Sequence, residues 1–98
     1  MKEVIFLAEA LAELEAAVDF YESRLEGLGI RFLFAVQSQI ERIEAFPDSG
    51  HGLDDGIQKV SVLGFPFSII YRNAEDRVLL LAVAHHFRNP GYWLGRSQ

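Results

Sequence analysis

Val78-Leu79-Leu80-Leu81-Ala82-Val83-Ala84 is an unbroken run of seven apolar residues, preceded across Arg77 by a polar turn at Asn73-Ala74-Glu75-Asp76 and followed by two histidines. A run without alternation reads as a strand buried on both faces, and such a strand belongs inside a sheet rather than at its edge. The chain has 98 residues, enough for one domain spanning 1–98 with a modest core. The neighbours of the central strand must therefore come from few candidates. Phe67 to Arg72, one short turn upstream, supplies an antiparallel flank, and Glu3 to Leu7 at the N-terminus supplies the other.

The rest of the second half also reads as strand. Ile57 to Leu63 and Phe67 to Arg72 are joined by a turn at Gly64-Phe65. In the first of these Val60 and Val62 face one way while Lys59 and Ser61 face the other. In the second, Phe67, Ile69 and Tyr71 oppose Ser68, Ile70 and Arg72. The first half has a helical period instead. Leu7, Leu11, Leu14, Val18, Tyr21, Leu25 and Leu28 recur at steps of four and three, which places them on one helical stripe. Glu9, Glu13, Glu15, Asp19, Glu22 and Glu26 fall largely off that stripe and read as a solvated face. Gly27 and Gly29 break the helix, and Phe32, Leu33, Val36, Ile40, Ile43 and Phe46 form a second apolar face closed by Pro47. Pro47 to Gly56, with three glycines, reads as a loop, and His51, Asp54 and Asp55 within it lack the fixed spacing of a metal site. The expected fold is α+β, ordered β-α-α-β-β-β, an antiparallel twisted sheet with a helical hairpin packed on one face.

Composition narrows the function. Half of the residues are hydrophobic and the formal charge is −5, which suits a protein-binding surface better than general nucleic-acid binding, where affinity comes from cations placed against phosphates. The charge is unevenly spread. After Gly56 there are only two acids, Glu75 and Asp76, against five basic residues and two histidines. The chain has no cysteine, so neither a disulfide framework nor a thiolate zinc site is expected, and a reducing cytoplasm is the natural compartment. The apolar start Val4-Ile5-Phe6-Leu7 is too short for a signal sequence or a membrane span. No cofactor or metal is expected.

The densest chemistry is the segment Val83-Ala84-His85-His86-Phe87-Arg88-Asn89-Pro90-Gly91-Tyr92-Trp93, which carries two histidines, an arginine, a tyrosine and the single tryptophan directly after the apolar strand. Because His85 and His86 alternate, one faces the helices and the other the open face of the sheet. Tyr92 and Trp93 read either as caps on the core or as parts of a recognition surface. That surface is expected to carry Lys59, Ser61, Ser68, Ile70 and Arg72 from the sheet, joined by His85, Arg88, Tyr92, Trp93 and Arg96.

Several stretches in this order resemble the RelE/ParE superfamily of toxins from bacterial type II toxin–antitoxin systems. They are Ala10 to Leu14 with Phe20-Tyr21, Leu28 to Phe32, Ile43 to Pro47, Phe65 to Arg72, and Val83 to Trp93 followed by Arg96. The resemblance implies a cognate antitoxin as partner and either of two activities. RelE-like members cut messenger RNA in the ribosome without a metal, and ParE-like members bind DNA gyrase and poison it. A homologue that has lost toxicity and only binds the antitoxin is the third possibility. A homo-oligomer or a toxin–antitoxin hetero-oligomer is compatible with any of them.

Phosphodiester cleavage needs a general base, a general acid and cations aimed at the scissile phosphate. Carried over from the RelE pattern, Lys59 stands at a lysine, Tyr92 at a C-terminal tyrosine and Arg88 at a terminal arginine. His86 stands in place of another arginine and could serve as the proton shuttle. Ser61 replaces a second lysine and Ser68 the arginine of the middle strand. Each missing donor removes about 3 kcal/mol of transition-state stabilisation, so the resemblance favours the ParE-like activity. Lys59, His86, Arg88 and Tyr92 remain the catalytic candidates should the chain prove to be a nuclease.

Overall fold

The computed structural model describes residues 2–96. The chain runs β1 (Glu3–Phe6), α1 (Ala8–Arg24), α2 (Leu28–Ala45), β2 (His51–Gly52), a 3₁₀ turn at Asp54–Gly56, β3 (Ile57–Ser61), β4 (Phe67–Asn73) and β5 (Arg77–His85). The sheet has the order β1-β5-β4-β3-β2, so the apolar strand β5 lies inside it, between β1 and β4, as its two-sided composition requires.

Two details depart from the sequence reading. The sheet is mixed: β2 to β5 pair antiparallel, whereas β1 runs parallel to β5 with Glu3 opposite Arg77 and Phe6 opposite Leu80. No tight turn joins β1 to β5, so nothing imposes the antiparallel sense that a hairpin dictates. The loop after Pro47 also contributes β2, which pairs His51 with Lys59.

The helical stripe is cut shorter than its spacing suggests. α1 ends at Arg24; Leu25 is 58% exposed beyond its last turn, and Leu28 already opens α2. Periodicity continues through the break because spacing alone does not register a cap. Gly27 makes that break at φ +87°, a left-handed conformation that glycine adopts without steric cost. Gly29 has a different role inside α2. A Cβ there would stand 2.7 Å from the Val18 carbonyl oxygen, so the missing side chain lets the two helices approach. Glu22 on α1 then accepts hydrogen bonds from the Gly27 and Gly29 amides, both 2.9 Å, placing a carboxylate at the N-terminus of α2 where the helix dipole favours it. Glu22 is thus a cap rather than a purely solvated charge.

One face of the sheet lies under the helical hairpin. Leu14, Ala17, Phe32, Val36 and Ile43 pack on Val62, Ile69, Tyr71, Val78, Leu80 and Val83. Around Phe32, the rings of Tyr21, Phe65 and Phe67 lie with centroids 5.0 to 5.2 Å from it, two of the three edge-on, a geometry that adds quadrupolar attraction to burial. Tyr71 extends from this core to donate a 2.8 Å hydrogen bond to the Pro47 carbonyl, tying the loop after α2 to β4. The other face is not open, contrary to the sequence reading. Ile57, Ile70, Leu79, Leu81, Ala82 and Ala84 form a second apolar cluster, covered by Leu53, Tyr92 and Trp93. The C-terminal segment supplies most of that cover.

Among the described residues no helix is long and apolar enough to cross a membrane.

Candidate functional site

The site is built where the chain leaves β5 and turns back across the second face of the sheet. His86 donates its amide to the Pro66 carbonyl at 2.9 Å, and short turns then follow, closed by Arg88 to His85, Tyr92 to Asn89, Leu94 to Gly91 and Arg96 to Trp93. Gly91 and Gly95, at φ +79° and +88°, permit the reversals. The result is a wall of residues 86–96 facing β3, β4 and β5.

Glu13 of α1 anchors this wall. Its carboxylate accepts the Tyr92 hydroxyl at 2.7 Å and a forked pair from Arg96 at 3.0 and 3.2 Å, the bidentate geometry that makes such pairs strong. It also accepts the Val83 amide at 3.1 Å, while Arg96 donates to the Leu81 carbonyl at 2.9 Å. Both backbone groups lie on the edge of β5 beyond the end of β1. There the salt bridge takes the place of the strand that is no longer present and satisfies polar groups that would otherwise be left unpaired. The side chains of Glu13 and Arg96 are only 16% and 17% exposed, so water screens the pair weakly.

Tyr92 lies between two cations. The Arg88 guanidinium sits 3.8 Å above its ring centroid and that of Arg96 lies 5.1 Å away, both within cation–π range. Burial, reinforced by the Glu13 carboxylate, pushes the Tyr92 hydroxyl up to about 12. It stays protonated at neutral pH and acts as a donor, not a base. The hydrogen bond to Glu13 raises the Arg96 guanidinium further and keeps it charged. Arg88 is 3.9 Å from the same carboxylate. A single acid on α1 thus engages three of the residues expected at the recognition surface.

Between this wall and the sheet lies a cavity of about 400 Å³, lined by Lys59, Ser61, Ser68, Ile70, Ala84, His85, His86, Arg88, Tyr92, Trp93 and neighbouring residues including Leu53. Ser61 and Ser68 are direct cross-strand partners, and Ser68 Oγ is 3.0 Å from His86 Nε2. The two histidines separate as alternation requires. His86 meets Ser68, whereas the His85 ring packs edge-on against Phe67 with centroids 5.0 Å apart, and its Nδ1 accepts the Phe87 amide at 3.0 Å. The structure brings Lys59, Ser61, Ser68, Ile70, His85, His86, Arg88, Tyr92 and Trp93 around one space, His85 with its ring turned to Phe67. Two of the expected surface residues stand apart from it: Arg72 donates to the Asp55 carbonyl, and Arg96 is consumed by Glu13 and Leu81.

Glu13 is the residue that sequence reasoning missed, having been read with the solvated acids of α1. The available signal was its position one residue before Leu14 on the buried stripe, at the margin of the packed face. Chemically, the arrangement offers one exposed lysine, imidazole and two hydroxyls over an apolar floor, with Arg96 bound by Glu13 and Arg88 stacked on Tyr92 at the rim. Among the described residues no group of histidines and acids is placed to hold a metal ion.

A family model described as the ParE toxin of type II toxin–antitoxin system, parDE, matches residues 4–90. The chain is also similar to a solved chain from the chromosomal ParDE toxin–antitoxin system from P. aeruginosa, with a TM-score of 0.73 and 20% identity over 87% of this chain and 96% of that chain. At that identity the likeness is one of fold. No curated protein matches the chain.

Proposed function

The chain belongs to the ParE toxin family of type II toxin–antitoxin systems, and we propose that it poisons DNA gyrase by attaching to it as a protein ligand in the cytoplasm, with a cognate antitoxin holding it silent. The observation that carries this reading is the Glu13 anchor. A nuclease of the RelE kind needs unpaired cations and a base at the scissile phosphate. Here Arg96 is spent on a carboxylate and a carbonyl, Arg88 is stacked and faces the same carboxylate, and Tyr92 is held protonated. Lys59 and His86 are the groups of the cavity that neither meet Glu13 nor stack on Tyr92. That pair is thin equipment for stabilising a pentacovalent phosphate, and it is ample for a protein interface with a polar rim and an apolar centre. The recognition surface in this reading is the cavity with its C-terminal wall, centred on Ile70, Tyr92 and Trp93.

The alternative nuclease reading keeps Lys59 and the Ser68-bonded His86 as its working groups. The two are separated by assaying the purified protein in parallel. Inhibition of gyrase supercoiling, or trapped cleaved DNA, with ribosome-bound message left intact is the expected result. Codon-positioned cleavage of message with normal supercoiling reverses the assignment. Inactivity in both, with harmless expression in a bacterium lacking the antitoxin, identifies a non-toxic antitoxin-binding homologue.

A further inference from the structure

The chain carries 14 acidic residues, yet none of them lines the cavity between the sheet and the C-terminal wall. An acidic molecule has kept one concave surface free of its own dominant charge. Lys59 is exposed at that surface and has no ion-pair partner among the described residues. Beside it lie the hydroxyls of Ser61 and Ser68, paired across β3 and β4, and the His86 ring. The floor is different in kind, formed by the buried side chains of Ile70 and Ala84 with Trp93 at the side. The cavity therefore presents the unpaired Lys59 ammonium and two hydroxyls next to an apolar floor, with Arg88 at its rim sharing Glu13 with the more tightly bound Arg96.

We propose that this cavity seats an acidic–apolar side-chain pair of the antitoxin, its carboxylate meeting Lys59 and the serine hydroxyls and the adjoining apolar side chain lying on Ile70 and Ala84 against Trp93. The proposal rests on the reading of the chain as a toxin with a cognate antitoxin. Charge selects the occupant. A nucleic-acid strand brings a phosphate with every nucleotide and would meet a molecule of net charge −5 with few cations along its path. A lone carboxylate meets only the lysine and the donors around it. The floor argues the same way, because Ile70, Ala84 and Trp93 offer contact to an aliphatic or aromatic side chain and no hydrogen bond to a phosphate. A volume of about 400 Å³ is within the range of pockets that enclose small ligands.

The test uses the full-length toxin and the protein encoded by the adjacent reading frame. Lys59→Glu is expected to weaken the complex at least tenfold, Lys59→Gln by less, and Lys59→Arg by no more than about threefold; the wild-type complex should also weaken with added salt. Ser61→Trp, which fills the cavity without altering charge, should weaken it as well. Because Trp93 is the only tryptophan, a fluorotryptophan label reports directly on the cavity, and its fluorine NMR signal should shift on complex formation. A wild-type complex that leaves Trp93 unchanged and tolerates every Lys59 variant overturns the proposal while sparing the toxin reading. Absence of any wild-type complex removes the antitoxin reading together with the proposal. Binding of a single-stranded oligonucleotide by the wild type, lost in Lys59→Gln, would assign the cavity to nucleic acid instead.

Discussion

The two faces of this sheet are closed by opposite means. On the helical side, Phe32, Val36, Ile43 and Leu14 exclude water from Ile69, Leu80 and Val83 chiefly by shape and area, with a polar tie from Gln39 to the Ser61 carbonyl. On the other side the cover is a turn-rich segment with little regular structure, and it stays in place because Glu13 reaches from α1 past the edge of β5 to hold Tyr92 and Arg96. Apolar burial is non-directional and spread over many contacts, so its loss is felt by the whole domain. A partly buried ion pair is directional and concentrated, so its loss should be felt locally and abruptly. The face proposed to bind a partner is the one closed by the second kind of bond, so that wall can respond to a change that leaves the scaffold intact.

Phe32→Ala should have the largest effect. Phe32 is fully buried at the centre of the aromatic group, and its truncation should cost about 3–5 kcal/mol. A urea titration should show the whole domain unfolding earlier. Glu13→Ala comes next, at about 3 kcal/mol, since it strands a guanidinium and the Val83 amide away from water. Its signature should be regional: hydrogen exchange should accelerate through residues 86–96 while the amides of α2 and β4 keep their protection. If exchange instead rises uniformly, the two faces are one cooperative unit and the contrast fails.

The smallest effect concerns alkaline pH. With the Tyr92 hydroxyl raised from its ordinary value of 10.0 to about 12, the folded state holds its proton more tightly than the unfolded chain between those values. Stability that is fully present below pH 10 should therefore decline as pH rises toward 12, and the decline should be shallower in Tyr92→Phe. Thermal melts across that range, with absorbance recorded for tyrosinate, measure it. An equal slope in the variant would mean that the fully buried Tyr71, also raised by burial, dominates and that the wall does not contribute.

Legibility differed between the faces for a related reason. Phe67, Ile69 and Tyr71 announced their side by simple alternation, and the central place of β5 followed from Val78 to Ala84 being apolar throughout. The cluster of Arg88, Tyr92 and Trp93 was legible as chemistry, and the structure does gather it around a cavity with Lys59 and Ser68. Its electrostatic state was not legible. Beyond its place at the margin of the packed face, Glu13 resembles Glu9 and Glu15, and its distant partners are what set it apart. The parallel sense of β1 was hidden for the same reason, since no turn links it to β5.

Sequence alone determined the order of the helices and main strands, the faces of β3 and β4, the inner position of β5 and the concentration of polar and aromatic groups after it, because each is written in the local pattern of apolar and polar residues along the chain. Only the tertiary structure decided that the second face is covered, and that an acid on the first helix holds Tyr92 and Arg96 there. Glu13 meets Tyr92 and Arg96 across 79 and 83 residues of chain. A carboxylate's written neighbours do not reveal whether it will face water or a guanidinium.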